Sequence, residues 1–188
     1  MPEGPGGGII SSGGGIEIRP AEPSDARGFL SFWRVILAEE RFMRGDDVRV
    51  TLGEYRRRFR RSWTHEEAHV LALEGGGIVG FVGLSREQNP VTRHVATLGI
   101  AVSQDHRRRG IGTSLMGTAM AWARSVGVEK LLLSVYPGND AAISLYRRLG
   151  FVEEGRLSRQ SRKSYGYEDE ILMALWLGSE PGRVRGVG

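Results

Sequence analysis

Residues 107 to 112 read Arg-Arg-Arg-Gly-Ile-Gly, and an apolar segment follows at once. The first turn of a helix leaves its N–H groups unpaired and carries a partial positive charge. Glycines at that point let an anion approach the backbone closely. The chemistry this favours is the binding of a phosphate or pyrophosphate. A solvated turn with incidental arginines is the alternative from this stretch alone. The spacing is neither Gly-x-Gly-x-x-Gly nor a Gly-Lys-Ser/Thr loop, so it matches neither the dinucleotide fingerprint nor the P-loop. A second cluster lies downstream: Asn139, Ala142, Leu145 and Tyr146, then Gly150-Phe151. From the residues alone, Asn139 is a helix cap and Tyr146 a core aromatic.

These residues need elements to hold them. "GIEIRP" alternates and predicts a first strand; Ser24 is placed to cap a helix whose apolar face is Phe29, Trp33, Ile36 and Leu37. Thr51 and Glu54 form a capping box ahead of Leu52, Tyr55 and Phe59. "HVLALEGGGIVGFVGLS" reads as two strands joined at Gly75–Gly77, and "HVATLGIAV" as a third. Residues 111–126 read as a helix with Ile111, Leu115, Ala119, Trp122 and Val126 on one face, stopped by Gly127. "KLLLSVY" has the near-continuous apolar run of a strand covered on both faces. A short helix at "NDAAISLYRRLG" and two strands, "FVEEGRLSRQ" and "EDEILMALWL", close the chain. The order predicts an α/β (mixed α+β) fold, a central mixed sheet with helices packed on it.

Composition narrows the choices. The 188 residues are 40% hydrophobic and 26% charged, which suits one domain with a full core. That domain is expected over residues 16–177, with flexible Gly-rich tails at 1–15 and 178–188. Without cysteine there is no disulfide, thiolate metal site or acyl-cysteine intermediate, and no metal is expected. No run is long and apolar enough to span a membrane, and the N-terminus lacks a signal-peptide pattern. A cytoplasmic protein without membrane contact is the expectation. The net charge of +4 is mild and argues little for nucleic acid.

"LGIAVSQDHRRRGIGTSLM" followed by "LLLSVYPGNDAAISLYRRLGFVEEG" resembles the GNAT superfamily of N-acetyltransferases. Arg107-x-x-Gly110-x-Gly112 is similar to that family's acetyl-CoA pyrophosphate loop, and Asn139 to Phe151 to its second motif. The resemblance runs over about residues 16–177 and is strongest at 95–155. It implies the GNAT fold, with a mostly antiparallel sheet, and acetyl-CoA as donor. It places the pyrophosphate on N–H groups from Arg108 through Gly110, Ile111 and Gly112 to Thr113, with Arg107 or Arg109 adding charge. It implies that the strand Ile100-Ala101-Val102 splays from "LLLSVY" and offers main-chain groups of Ile100 and Val102 to the pantetheine arm. Asn139 and Ala142 would adjoin that arm, and Tyr146 would return a proton to the thiolate. Without the family, Asn139 is an N-cap and Tyr146 a core aromatic.

Transfer to an amine also needs a proton acceptor. Many family members carry a Glu on the strand that here reads "ATLGIAV", which has none. Glu40 is the first candidate, beside Glu39 at the end of the first helix. His94 follows, because an imidazole titrates near neutrality; a bound water is a further option. "RQSRKSYGYEDEILMAL" resembles the closing hairpin of polyamine-, amino-acid- and ribosomal-protein-type acetyltransferases, where Asp169 or Glu170 would face the acceptor or merely start a strand. "YRRRFRRSW" reads as an amphipathic helix with arginines outside; RNA contact is the weaker reading. The expected activity is acetyl transfer to a small-molecule amine or peptide acceptor, in a protein that dimerises as family members commonly do. A non-catalytic acyl-CoA sensor is the rival.

Overall fold

The computed structural model describes residues 15–39 and 51–178. A seven-stranded sheet runs β1 (Ile16–Pro20), β2 (Glu67–Glu74), β3 (Gly77–Arg86), β4 (Val95–Val102), β5 (Lys130–Val135), β7 (Gly166–Trp176) and β6 (Val152–Lys163) in spatial order. All neighbours are antiparallel except β4 and β5. Four helices complete the described part: α1 (Ala26–Ala38), α2 (Leu52–Phe59), α3 (Ile111–Ser125) and α4 (Asp140–Arg148). This is the expected mixed α+β order. The strand "LMALWL" lies inside the sheet, between β5 and β6; β1 and β6 are the outer strands.

Each face of the sheet has its own core. On one, α3 presses Leu115, Met116, Ala119 and Trp122 onto Val70, Val82, Leu84 and Ala96. The Trp122 indole N–H donates to the Thr64 carbonyl at 2.8 Å, so the buried ring leaves no polar group unsatisfied. Ile143 and Tyr146 of α4 extend the same layer over Leu133, Ile171 and Met173. On the other face α1 and α2 pack aromatically: Phe29 touches Trp33, Tyr55, Phe59 and Phe81, with ring centroids 4.8–5.6 Å apart. The arginines of α2 point outward, as its amphipathic pattern requires.

Two local expectations are corrected. Ser24 does not cap α1. A 3₁₀ turn, Pro23–Asp25, precedes the helix, and Asp25 accepts from the Glu22 N–H at 2.7 Å and from Arg19 at 2.7 and 2.8 Å. Ser24 lies inside that turn, one residue before the N-cap position at Asp25, and its hydroxyl donates to Glu22 at 3.5 Å instead. And β5 is not covered on both faces: Leu131, Leu133 and Val135 are buried, while Leu132 and Ser134 are only partly so. Its apolar run hides a strand with one open face.

Beneath α2 lies His69, 9% exposed, with Nδ1 buried and without a hydrogen-bond partner. Burial, helped by the Arg58 charge, lowers its pKa from 6.5 to about 4. The unfolded chain therefore takes up a proton at higher pH than the folded one. Stability held above pH 6.5 drains away as pH falls toward 4, by up to about 3 kcal/mol. Urea titrations between pH 7.5 and 4 should show this loss, and His69→Phe should remove that share of it.

Candidate active site

The site begins where β4 and β5 part. Their parallel pairing lasts three residues, from Val95↔Lys130 to Thr97↔Leu132. Beyond that point β4 stays on β3 as far as Val102, and β5 stays on β7 as far as Val135. The Ser103 N–H donates to Val79 and the Glu87 N–H to Val95, each at 3.0 Å. The odd-numbered residues of β4 therefore bond to β3, and the even-numbered ones face the other way. Past Leu132 the main-chain groups of Ile100 and Val102 point into the gap with no strand to receive them. Ala101 spends its backbone on Phe81 and its side chain on the α1 core, so it serves as wall alone.

The gap opens into a cleft of about 1120 Å³. One end is the turn before α3. Gly110 is the N-cap with φ 80°, and Arg108 also has positive φ, 61°. A Cβ on Gly110 would meet nothing within 4 Å, so glycine is needed there for its dihedral angle rather than for space. Arg108, Gly110, Ile111, Gly112 and Thr113 line the cleft beside Asn139 and Ala142. The Asn139 side chain accepts from the Ala142 N–H at 3.2 Å, so it caps α4 and borders the cleft at once.

The three arginines separate. Arg107 donates from Nε to the Val102 carbonyl at 3.0 Å and ion-pairs with Glu39. Arg109 turns away to Glu74, at 2.5 and 3.3 Å, where His106 also bonds at 3.0 Å. The hydrogen bond from Arg109 holds the Glu74 carboxyl below its ordinary range. Arg108 lines the cleft and has no side-chain partner among the described residues. Glu74 lies 35 positions from Arg109, and nothing in the sequence signals that pairing.

Tyr146 lines the cleft from the α3–α4 side, 6% exposed and packed on Phe151. Burial pushes its phenol up to about 12, so it stays protonated at neutral pH. On the opposite face of the sheet the cleft is walled by Thr97, Gly99, Leu132, Ser134, Leu172 and Glu170. Trp33, Ile36 and Glu39 of α1 and its end close over that face. Sequence reasoning gave Trp33 and Ile36 to the core; Ile36 does both, since one flank of a buried helix can border a cavity.

The candidate bases fare differently. Glu40 lies outside the described residues. His94 is not brought to the cleft: it sits at the closed end of the β4–β5 pair, its carbonyl accepting from Glu129 and Lys130 and its ring edge-on to Trp176. Asp169 is also elsewhere, bonded to the Arg159 N–H at 2.8 Å and to Arg156 at 3.0 Å. Glu170 is in the wall. No group of metal-ligating side chains occurs among the described residues.

The chain belongs to the acetyltransferase (GNAT) family, whose model matches residues 32–151. It is 30% identical over 109 residues to the L-amino acid N-acetyltransferase AaaT of Escherichia coli K12, covering 56% of this chain and 65% of that one. It is 42% identical over 81 residues to the [ribosomal protein bS18]-alanine N-acetyltransferase of Salmonella typhimurium, covering 43% and 55%. The matched stretch is thus less than two thirds of either relative. A GNAT-family acetyltransferase structure from Streptococcus pneumoniae superposes with TM-score 0.81 and 30% identity, covering 87% of this chain and 99% of that one. A Salmonella typhimurium acetyltransferase solved with its cofactor acetyl-CoA shares the fold, with TM-score 0.80, 18% identity and coverage of 90% and 98%.

The dihedral at Gly110 gives a prediction independent of any ligand. A β-branched residue there must adopt a left-handed backbone or pull the turn open. Gly110→Val should cost about 1–2 kcal/mol in a urea unfolding titration. Gly99→Ala, where φ is not positive and a Cβ meets nothing within 4 Å, should change stability little.

Proposed function

We propose that this chain binds acetyl-CoA in the cleft and transfers the acetyl group to a primary amine by direct attack, working in the cytoplasm. One observation carries the reading: Ile100 presents its main-chain N–H and C=O, and Val102 its N–H, to an unpaired gap that runs toward the N-terminus of α3, while the Val102 carbonyl is held by Arg107. An amide-bearing arm can take the place of the missing strand there. The backbone N–H groups from Arg108 to Thr113, with the Arg108 side chain, would hold the pyrophosphate at the end of that arm. Among the described residues no helix is long and apolar enough to cross a membrane.

The proton bookkeeping follows from the two faces. The amine lone pair attacks the acetyl carbonyl carbon, and an N–H in the gap steadies the charge on oxygen. The carbon–sulfur bond breaks with its electron pair on sulfur, which takes a proton from the Tyr146 hydroxyl. The dry surroundings that raise the phenol disfavour the thiolate as well, so donor and leaving group shift together. The acceptors named for the two relatives, an L-amino acid and the alanine of a ribosomal protein, support a small amine or a peptide N-terminus as substrate. A protein that merely sensed acyl-CoA would need the gap and the loop, but no phenol on the sulfur side.

Acetyl-CoA should raise the melting temperature, and free thiol should appear with one of an Ala-led peptide, an L-amino acid or spermidine. No thermal shift with acetyl-CoA would end this reading; tight binding without thiol release from any acceptor would favour the sensor. Tyr146→Phe should lower kcat about 10²-fold while acetyl-CoA affinity holds. An unchanged kcat would remove Tyr146 as the acid.

The arginines should contribute unequally. Arg108→Ala should weaken CoA about tenfold, as loss of one charge-assisted hydrogen bond does. Arg109→Ala, already committed to Glu74, should change it less than twofold. Equal losses measured by calorimetry would mean that the turn rearranges to use both.

A further inference from the structure

The amine must also lose a proton. We infer that Glu170 takes it, and that Ser161 and Tyr136 hold Glu170 for that purpose; this rests on the acetyltransferase reading above. Glu170 is a carboxylate 1% exposed to solvent in the wall of the cleft. Burying a carboxylate is costly unless it is paired or hydrogen-bonded, so its place in the wall calls for a reason. It does not belong to the hydrophobic layer around it. The neighbouring Ile171 and Met173 of β7 point to the α3–α4 core, as do Leu131, Leu133 and Val135 of β5. Alternation then puts Glu170 and Leu172 on the opposite face, with Leu132 and Ser134 of β5 and Thr97 and Gly99 of β4. Tyr146 is on the α3–α4 face. Acid and base thus stand on the two sides of the gap in which the acetyl carbon must lie. A tetrahedral carbon there has its leaving sulfur toward one and its attacking nitrogen toward the other.

The carboxylate is fixed from behind. The Tyr136 hydroxyl donates to Ser161 Oγ at 3.0 Å, and Ser161 Oγ donates to Glu170 Oε1 at 2.6 Å. Tyr136 closes the end of β5 and lines the cleft. Ser161 reaches Glu170 because β6 bulges: Leu157 pairs with Glu170, yet Ser161 pairs with Glu168, so β6 spends two extra residues there. Arg159, with φ 53°, forms the bend, and Asp169 pins it through the Arg159 N–H and the Arg156 guanidinium. The two adjacent acids divide the work: Asp169 holds the bulge and Glu170 faces the substrate. Of the other two carboxylates lining the cleft, Glu39 is committed to Arg107 and Asp140 sits in the first turn of α4, on the Tyr146 side.

The step balances. As the carbon–nitrogen bond forms, the nitrogen sheds one proton to the Glu170 carboxylate. The sulfur gains one from Tyr146. Exchange with water then returns Glu170 to its anion and Tyr146 to its phenol, leaving amide and free thiol.

The test uses the full-length protein, acetyl-CoA and whichever of the Ala-led peptide, L-amino acid and spermidine turns over. Glu170→Gln keeps the shape and the bond from Ser161. It should lower kcat about 10²-fold at pH 7 with the acetyl-CoA thermal shift intact. Its deficit should shrink as pH rises and hydroxide or buffer base takes the nitrogen's proton in place of Glu170. Binding of the amine to the protein–CoA complex, read by calorimetry without turnover, should weaken about tenfold. Ser161→Ala and Tyr136→Phe keep the carboxylate and should cost about 3- to 10-fold in kcat, with the pH profile shifted rather than flattened. An active parent with Glu170→Gln within twofold of it overturns the assignment alone. A deficit that does not vary with pH also overturns it, leaving Glu170 structural. A parent inert with every acceptor overturns the acetyltransferase reading and this assignment with it.

Discussion

Three residue pairs hold β4 to β5, and the rest of the site depends on their ending at Thr97 and Leu132. A sheet normally satisfies every interior N–H and C=O through its neighbours. Here two strands remain fully paired on their outer sides while their inner edges part. The main-chain groups of Ile100 and Val102 are left facing a cleft. The molecule tolerates this because the groups are open to solvent or ligand rather than sealed in a core, and because Arg107 covers the Val102 carbonyl. The opening is thus made of backbone, and its geometry is set by strand pairing far from it. That is why α3, whose Trp122 is anchored to Thr64 across the sheet, matters to a site it reaches only with its first turn.

The parting also divides the molecule chemically. Helices α3 and α4 seal one face and bring a glycine turn and a phenol to the gap. Helix α1 and the β5–β7 strands form the other face, with two carboxylates, Glu39 and Glu170. Group transfer between a thioester and an amine needs opposite proton traffic at the two ends of one carbon. Under the proposed acetyl transfer, a sheet with a slot through it would supply two surfaces for the two tasks and keep them from neutralising each other. The basic turn at the other end of the cleft is tempered in the same spirit. Arg107 and Arg109 are matched by Glu39 and Glu74, so a single arginine faces the cleft without a partner of its own among the described residues.

Specific residue types made much of this visible in the primary structure. The capping box at Thr51 and Glu54, the positive-φ stops at Gly127 and Gly150 and the hairpin at Gly75–Gly76 form as their chemistry requires, because each is decided by contacts within a few residues. The pyrophosphate-type turn and the Asn139 cap are local in the same sense. The nearly all-apolar β5 misled, because hydrophobicity reports what a strand avoids and not how many helices cover it. Ser24 misled because a 3₁₀ turn over Pro23–Asp25, tied back to Arg19 of β1 through Asp25, puts the N-cap of α1 one residue beyond it.

The sequence by itself determined the order of elements, the glycine turn before α3 and the phenol of α4, since each is written in a short run of residues whose dihedral angles and periodicity leave few options. It could not decide where β4 leaves β5, which arginine of the turn has no side-chain partner among the described residues, or which of two adjacent acids is buried. Those depend on pairing between segments 30 to 70 positions apart: Thr97 with Leu132, Arg109 with Glu74, Arg107 with Glu39. Asp169 and Glu170 are indistinguishable as neighbours in a chain. A strand's alternation sends them to opposite sides, and the bulge of β6 decides which one meets Ser161. Long-range register is a property of the packed sheet, and only the tertiary structure fixes it.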